Sequence, residues 1–491
     1  MLANTKMLKL LGRFPYSLLK QSPYRALGVS SYSTRTQPGS PDTLYRRLQI
    51  CQEQRGPLTP ILDKWVVEGR PVDYSELKRF IKTCRKIRRF KPALELSEWL
   101  IEMKYSDSRP GLAGLHLDLI SKVHGLAQAQ QYFDTLNPTQ LVPSIHGALL
   151  HCYADANDIS KAEAIFTQIQ TLHSPSNLDY NSMLSLYSRT GNHKKLDSLA
   201  REMEDKGIEL DEFTYNIRLN SHATNSELRK MESLLMKMEL DPHVTVNCHA
   251  YITAAKGYIK AGLPEKALKA LGKAEHSVRS KERQTAYGVL ITVYAAMGER
   301  EHVYRVWARL KRDERITYYR GYGCMIASLE KLGDFEGLGR IFEQWVVEKK
   351  DDDGERWYLD MRVPNAVIRA YCRKGMVKEA EGVLGRALGE GAEASASTWS
   401  HMAHGYWRSG EMERAVEMTK RAARSSFAEW RPDFETVGAC VEYLREKGDL
   451  GGVREILMLF EKWGKFSEGL KERADQGDEE MEAEELEAGA S

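Results

Sequence analysis

The sequence predicts an all-α fold: a right-handed α-solenoid of about eleven helix-turn-helix repeats. Three observations predict it. First, an aromatic or apolar residue is followed nine positions later by a second apolar residue, again and again. The pairs are Cys84/Ala93, Ile120/Ala129, Tyr153/Ala162, Tyr187/Leu196, His222/Met231, Tyr258/Ala267, Tyr294/Val303, Leu329/Leu338, Tyr371/Ala380, Tyr406/Ala415 and Leu444/Val453. Subtraction puts successive first members 36, 33, 34, 35, 36, 36, 35, 42, 35 and 38 residues apart. A period near 35 with helical patterning marks stacked helix pairs. Second, each period holds two helical patterns split by a breaker. Asp179 to Thr190 and Lys194 to Lys206, for example, flank Gly191-Asn192. Third, the 42% hydrophobic content is enough for one continuous stacked core. The expected fold has an extended concave face rather than a pocket, so function is sought on that face.

The elements follow in order. From Met1 to Pro41 there is no Asp or Glu, while Lys6, Lys9, Arg13, Lys20, Arg25 and Arg35 interleave with Leu8, Leu10, Leu11, Leu18 and Leu19. Ser30-Ser31-Tyr32-Ser33 follows. An acid-free, amphipathic, Ser-containing start is the composition of an organellar transit peptide. Residues 1–33 are therefore expected to direct import into the mitochondrial matrix, with the plastid as the second choice and cleavage near Tyr32. Residues 34–69 read as a polar linker, with Pro38, Pro41 and Pro57, then a lead-in helix from Leu58 to Glu68. The repeats are assigned to 70–468. Breakers recur at Asn157-Asp158, Ala261-Gly262, Met297-Gly298, Leu332-Gly333, Lys374-Gly375, Ser409-Gly410 and Lys447-Gly448. Glycine there suits the left-handed conformation that ends a helix. One repeat is long, and its Lys349-Lys350-Asp351-Asp352-Asp353-Gly354 run reads as a solvated loop. Residues 469–491 form an acidic tail, with nine acids between Glu472 and Glu487.

Composition narrows the chemistry. The net charge of +2 does not by itself indicate nucleic acid. Seven single cysteines, with no CxxC, suggest neither a zinc site nor a disulfide framework. No apolar run reaches about 18 residues, so no transmembrane helix is expected. There is no HExxH, no phosphate-cradling glycine loop, no GxSxG and no dinucleotide fingerprint. The HxE and PCxxC pair of a zinc deaminase is also missing. His401 and His404 share a helix face but have no third ligand. The chain is read as a non-enzyme with no cofactor and no metal.

The segment Asn177 to Asp211 reads NLDYNSMLSLYSRTGNHKKLDSLAREMEDKGIELD. Its aromatic–Asn start, Tyr-x-x-x-Gly turn, late Glu-Met and Gly-Ile-x-x-Asp finish resemble a pentatricopeptide repeat. Tyr215-Asn216 and Trp399-Ser400 repeat the start. RVPNAVIRAYCRKGMVKEAE and LHLDLISKVHGLAQAQQYF extend the likeness, over about residues 70–468, to the P-type pentatricopeptide proteins of plant mitochondria. The small residues that a tetratricopeptide repeat would need are not regular here. The resemblance implies single-stranded RNA as ligand, read at about one base per repeat by two or three side chains.

The family's two specifying positions are the residue after the aromatic and the last residue of the repeat. They pair here as Asn181 with Asp211, Asn216 with Asn247, Asn365 with Ser395, and Ser400 with Asp433. The resemblance implies uracil for the first, a pyrimidine for the second and third, and guanine for the fourth. The other first positions are Lys78, Gly114, Gly147, Ile252, Gly288, Gly323 and Gly438. Gly and Ile offer a base edge no side-chain hydrogen bond. A second set does not depend on this code. Two residues beyond the first anchor stand Lys86, Lys122, Arg189, Lys260, Lys331, Arg373 and Arg408. Stacking would align them about 10 Å apart, one helix width. Such a row suits a phosphate backbone; equally, a cation at a helix C-terminus complements the macrodipole. The expected function is an RNA-binding adaptor in mitochondrial RNA processing, stability or translation, bound to a mitochondrial transcript or ribosomal RNA. The alternative is a scaffold associated with the mitochondrial ribosome or another protein complex.

Overall fold

A computed structural model describes residues 42–53, 56–103, 111–137, 142–242, 244–280, 282–312, 318–353, 361–425 and 430–461. The expected transit peptide and acidic tail lie outside these residues. Among the described residues there are twenty-four helices and no strand. Two lead-in helices, α1 (Leu44–Glu53) and α2 (Thr59–Val67), precede the array. The repeats are then helix pairs. Repeats 1 to 3 are α3 (Tyr74–Lys86) with α4 (Phe90–Glu102), α5 (Gly111–Val123) with α6 (Leu126–Thr135), and α7 (Pro143–Asp155) with α8 (Ile159–Leu172). Repeats 4 to 6 are α9 (Asn177–Arg189) with α10 (His193–Asp205), α11 (Glu212–Thr224) with α12 (Leu228–Leu240), and α13 (Cys248–Lys260) with α14 (Pro264–His276). Repeats 7 to 9 are α15 (Arg283–Met297) with α16 (Arg300–Lys311), α17 (Tyr318–Leu332) with α18 (Phe335–Asp353), and α19 (Arg362–Lys374) with α20 (Val377–Gly389). Repeats 10 and 11 are α21 (Ala396–Arg408) with α22 (Met412–Arg424), and α23 (Phe434–Glu446) with α24 (Leu450–Glu461).

The chain divides into two compact bodies, 1–282 with repeats 1 to 6 and 283–491 with repeats 7 to 11. The anchor spacing across the division, 294 minus 258 or 36, matches its neighbours, so the repeat pattern does not mark it. Within the first body, first helices α5, α7, α9, α11 and α13 pack one on the next; within the second, α15, α17, α19, α21 and α23 do.

The anchor pairs explain the packing. All twenty-two anchor residues are buried. The first member faces its own second helix late in the odd-numbered helix, and the second member meets it from the start of the even-numbered one. Tyrosine anchors add a bond between repeats. Tyr187 Oη donates to Glu163 in the preceding second helix, at 2.8 Å, and Lys195 bonds the same carboxylate at 2.6 Å. Tyr406 and Arg414 converge on Glu381 in the same way. The ring fills the core while its hydroxyl meets a carboxylate at the rim, so these two repeats are keyed to the ones before them.

Every turn between paired helices holds one residue at positive φ. Eight are glycines; the others are Arg88 (φ 60), Asn157 (φ 62) and Ser226 (φ 62). The breaker pattern misses Arg88 and Ser226 because neither is a typical left-handed residue. That conformation costs a Cβ-bearing residue about 1–2 kcal/mol. Ser226→Gly is therefore expected to raise stability by about 0.5–1 kcal/mol in a denaturant titration, and Gly191→Ala to lower it by at least as much. No gain from Ser226→Gly would show that this turn carries no strain.

Two assignments are corrected. Residues 44–53, read as linker, form α1, because Leu44 and Leu48 repeat at helical spacing and are buried. Lys349 to Asp353, read as a loop, continue α18, which has no Gly or Pro between Trp345 and Gly354 to stop it. The lead-in helix is found at Thr59–Val67, within the expected Leu58 to Glu68.

Candidate nucleic-acid interface

Each candidate base-reading residue sits at one of two places. The first position lies one turn into an odd-numbered helix; the last residue of the repeat is the N-cap of the next one. In repeat 4 the two come together. Asp211 caps α11 by accepting from the Thr214 backbone N–H at 2.8 Å. Asn181 Nδ2 donates to the same carboxylate, 3.2 Å from Oδ1 and 3.1 Å from Oδ2. Thr214 Oγ1 lies 2.8 Å from Asn181 Oδ1 and 2.9 Å from Asp211 Oδ1. The Asn181 amide is thereby fixed in orientation. An amide has two N–H donors and two carbonyl lone pairs. Asp211 engages one donor and Thr214 one lone pair, leaving one donor beside one acceptor. That is the complement of a base edge with an acceptor next to a donor.

Asn216, one repeat on, is half-buried, and its Oδ1 has no hydrogen-bond partner. Its partner in the sequence pattern, Asn247, caps α13 through Ala250 N at 2.9 Å and donates to Glu212. No hydrogen bond joins Asn216 to Asn247 among the described residues. Asn365 accepts from Thr398 Oγ1 at 2.8 Å, repeating the Asn181–Thr214 contact. Ser395 caps α21, and its Oγ lies 3.1 Å from Thr398 Oγ1. That pair is thus linked through a threonine. No hydrogen bond joins Ser400 to Asp433 among the described residues. His404, one turn beyond Ser400, reaches Asp433 Oδ2 at 3.0 Å instead. That contact, with Thr436 Oγ1 at 2.8 Å, lowers the Asp433 pKa to about 2.

Sequence reasoning overlooked the threonines. Thr214, Thr398 and Thr436 all stand three residues after the cap, and a Thr two before the specifying residue is visible in Thr214-Tyr215-Asn216 and Thr398-Trp399-Ser400. It also overlooked Leu178 and Phe213. Each lies three residues before a specifying Asn and is exposed, by 69% and 73%. Exposed apolar positions of this kind suit stacking against a base face. One of the glycines at first positions has a structural use. A Cβ on Gly147 would stand 2.7 Å from Asp179 Oδ1 of the next first helix. A Cβ on Gly114 or Gly288 would instead make ordinary contacts, at 3.5 Å with Ala148 and 3.4 Å with Cys324.

The cation row lies at the C-terminal ends of the first helices, and several members reach to a neighbouring repeat. Lys122 Nζ meets Asp155 Oδ2 at 2.8 Å, and Arg373 meets Glu330 at 3.4 Å. Arg189 donates to Asn157 Oδ1 at 3.1 Å and to the Ala154 carbonyl; Lys260 donates to the Thr224 carbonyl. Carbonyl contacts leave the positive charge unneutralised. Burial lowers the pKa of Lys86 and Lys331. Arg408 is exposed.

Burial, then the neighbouring Arg369 and Arg373, lowers the His401 pKa to about 4, so this imidazole is neutral at pH 7. Among the described residues, Cys248, His249 and Glu282 bring three potential ligand atoms within 4.8 Å of one another. Burial raises the Cys248 thiol to about 11, which keeps it protonated at neutral pH. No helix among the described residues is long and apolar enough to cross a membrane.

Comparison with known proteins places these features. A model of the PPR repeat family matches residues 175–224, and PPR repeat models match 213–241, 363–391 and 397–426. These segments contain Asn181, Asp211, Asn216, Asn365 and Ser400. A mitochondrial pentatricopeptide repeat-containing protein of Arabidopsis thaliana is 38% identical over 445 residues, covering 90% of this chain and 89% of that one. A second such Arabidopsis protein is 28% identical, covering 90% and 87%. Among solved structures, the maize pentatricopeptide repeat protein PPR10 aligns with a TM-score of 0.45 and 17% identity. It covers 87% of this chain, which spans 65% of that structure, under two thirds of its length.

Proposed function

Because the chain belongs to the pentatricopeptide repeat family, we propose that it binds single-stranded RNA along the first-helix layer and acts as a non-catalytic adaptor. The bound strand is a mitochondrial transcript, and the adaptor supports its processing, stability or translation. The observation that carries this reading is the repeat 4–5 surface. There Asn181 is held by Asp211 and Thr214 with one donor and one acceptor to spare. Asn216 keeps an unpartnered carbonyl beside it in sequence register. Leu178 and Phe213 offer exposed apolar surface one turn before each amide. An amide edge plus a stacking surface is what recognition of an unpaired base requires. The acid-free N-terminal segment and the mitochondrial relatives support the compartment.

Only repeats 4 and 5 are adjacent and both carry a readable amide, so base reading supplies limited discrimination and phosphate binding supplies much of the affinity. Arg189, Lys260 and Arg408 are row members that make no ion pair with a carboxylate among the described residues. Changing all three to Gln is expected to weaken binding of single-stranded RNA about equally for every sequence. It should also flatten log affinity against log salt by roughly 0.7 for each phosphate that is no longer neutralised. Fluorescence anisotropy over a salt series measures both. An unchanged slope would mean these cations serve only the helix ends. No binding of any single-stranded RNA at low salt would overturn the proposed function itself.

A further inference from the structure

The first repeat departs from the others at the specifying position. Of the eleven residues there, only Lys78 is charged. It sits on α3 with Ser75, Arg79 and Lys82, spaced three, four and seven residues from Ser75, so all four share one helix face. With Tyr74 they line an open cavity of about 340 Å³. Lys78, Arg79 and Lys82 make no ion pair with any described residue. This contrasts with the surrounding array. Arg85, one turn further along α3, pairs with Asp118; Lys122, Lys195, Lys230 and Lys266 each meet a carboxylate of a neighbouring repeat. Like charges at i and i+4, such as Lys78 and Lys82, destabilise a helix. Three uncompensated cations around one cavity are therefore a cost to folding that a bound anion would offset.

The cavity is also partly preorganised. The Arg79 guanidinium lies 5.1 Å from the centroid of the Tyr45 ring on α1, and Lys78 Nζ lies 5.8 Å from that of Tyr74. Tyr45 in turn packs edge-on against Phe80 at 5.3 Å. Aromatic faces hold the cations without neutralising them. The Ser75 side chain is exposed at the same rim. Its hydroxyl can donate to an oxyanion.

We propose that this cavity binds the terminal phosphomonoester of the RNA strand lying on the array. The inference rests on the RNA-binding reading above. The charge decides between a terminal and an internal phosphate. A phosphomonoester carries about −1.5 to −2 at neutral pH, whereas a backbone diester carries one charge. Three cations lining one cavity match the former. Position agrees, because repeat 1 is the first of the array, and its specifying residue is a point charge where other repeats place an amide or a glycine. A strand end, rather than a base, is what this repeat is built to meet.

The test uses the full chain and an oligouridylate of about 16 nucleotides, longer than one base per repeat. Three forms are compared by anisotropy: 5′-phosphorylated, 3′-phosphorylated, and hydroxyl-ended at both termini. One phosphorylated form is expected to bind about tenfold more tightly than the hydroxyl-ended strand, as for a well-placed charge-assisted contact. Which form gains identifies the end. In the K78Q/R79Q/K82Q variant the ratio should fall to one, while circular dichroism shows the helices intact. Equal affinity for all three strands overturns the inference and leaves RNA binding standing. A preference that survives in the variant also overturns it. No binding of any strand overturns the inference and the proposed function together.

Discussion

Truncating Tyr180 to alanine is expected to remove about 3–5 kcal/mol of local stability, the usual range for a large buried aromatic. Tyr180 is fully buried in α9, edge-on to Phe166 of the preceding repeat at 5.3 Å. Its hydroxyl donates to Glu202 at 3.2 Å, and Lys206 bonds both groups. The cavity left by truncation would lie between repeats 3 and 4, where α8 and α9 meet. Repeats interact with nearest neighbours, so the loss should be confined. Hydrogen exchange should report faster opening of amides from α8 to α11, with amides of repeats 8 to 11 unchanged. Tyr180→Phe keeps the ring and should cost only about 1 kcal/mol. If Tyr180→Ala costs no more than Tyr180→Phe, the ring is not what holds these repeats together.

The second large effect is on recognition. Asn181→Ala is expected to weaken binding of the preferred RNA by about 5- to 150-fold, corresponding to roughly 1–3 kcal/mol for a good base contact. For RNA with a different base at that position the loss should be several-fold smaller. Thr214→Val should reproduce part of the effect without touching the base. It removes the hydroxyl 2.8 Å from Asn181 Oδ1 and frees the amide to rotate. Binding to a set of strands varied at one position measures both. A uniform loss over all four bases would reduce Asn181 to a structural residue and leave phosphate binding as the source of affinity.

The two predictions concern adjacent residues with different legibility. Tyr180 is readable as an aromatic in a helical pattern, and its burial follows from the period alone. The Asn181–Asp211 pairing could be named only through a family likeness, because the two lie thirty residues apart (211 minus 181) with nothing local to join them. The structure shows why the pairing forms. Asp211 is the N-cap of the next first helix, so stacking that helix on α9 delivers the carboxylate to the amide. The same stacking gives the Ser400 pattern a different outcome. The longer side chain of His404 reaches Asp433, so the carboxylate at this N-cap position bonds an imidazole and leaves the helix end uncapped by its side chain.

Repeat number, helix order and most turn positions were thus set by local sequence, the turns at Arg88 and Ser226 excepted. Their signals are period, patterning and breaker residues, all of which act within a few turns of one helix. The anchor pairs act the same way, since a residue and its ninth neighbour meet inside one helix pair. What only the tertiary structure decided is everything that depends on how one repeat meets the next. It showed that Gly147 makes room for Asp179, that Thr214 orients Asn181, and that Lys122 is engaged by Asp155. It showed too that the array divides at residue 282, and that Lys78, Arg79 and Lys82 surround a cavity with no carboxylate partner among the described residues. The physical reason is range. A helix pair is specified by residues close in sequence, whereas the partner of an exposed side chain is set by which neighbouring helix arrives beside it.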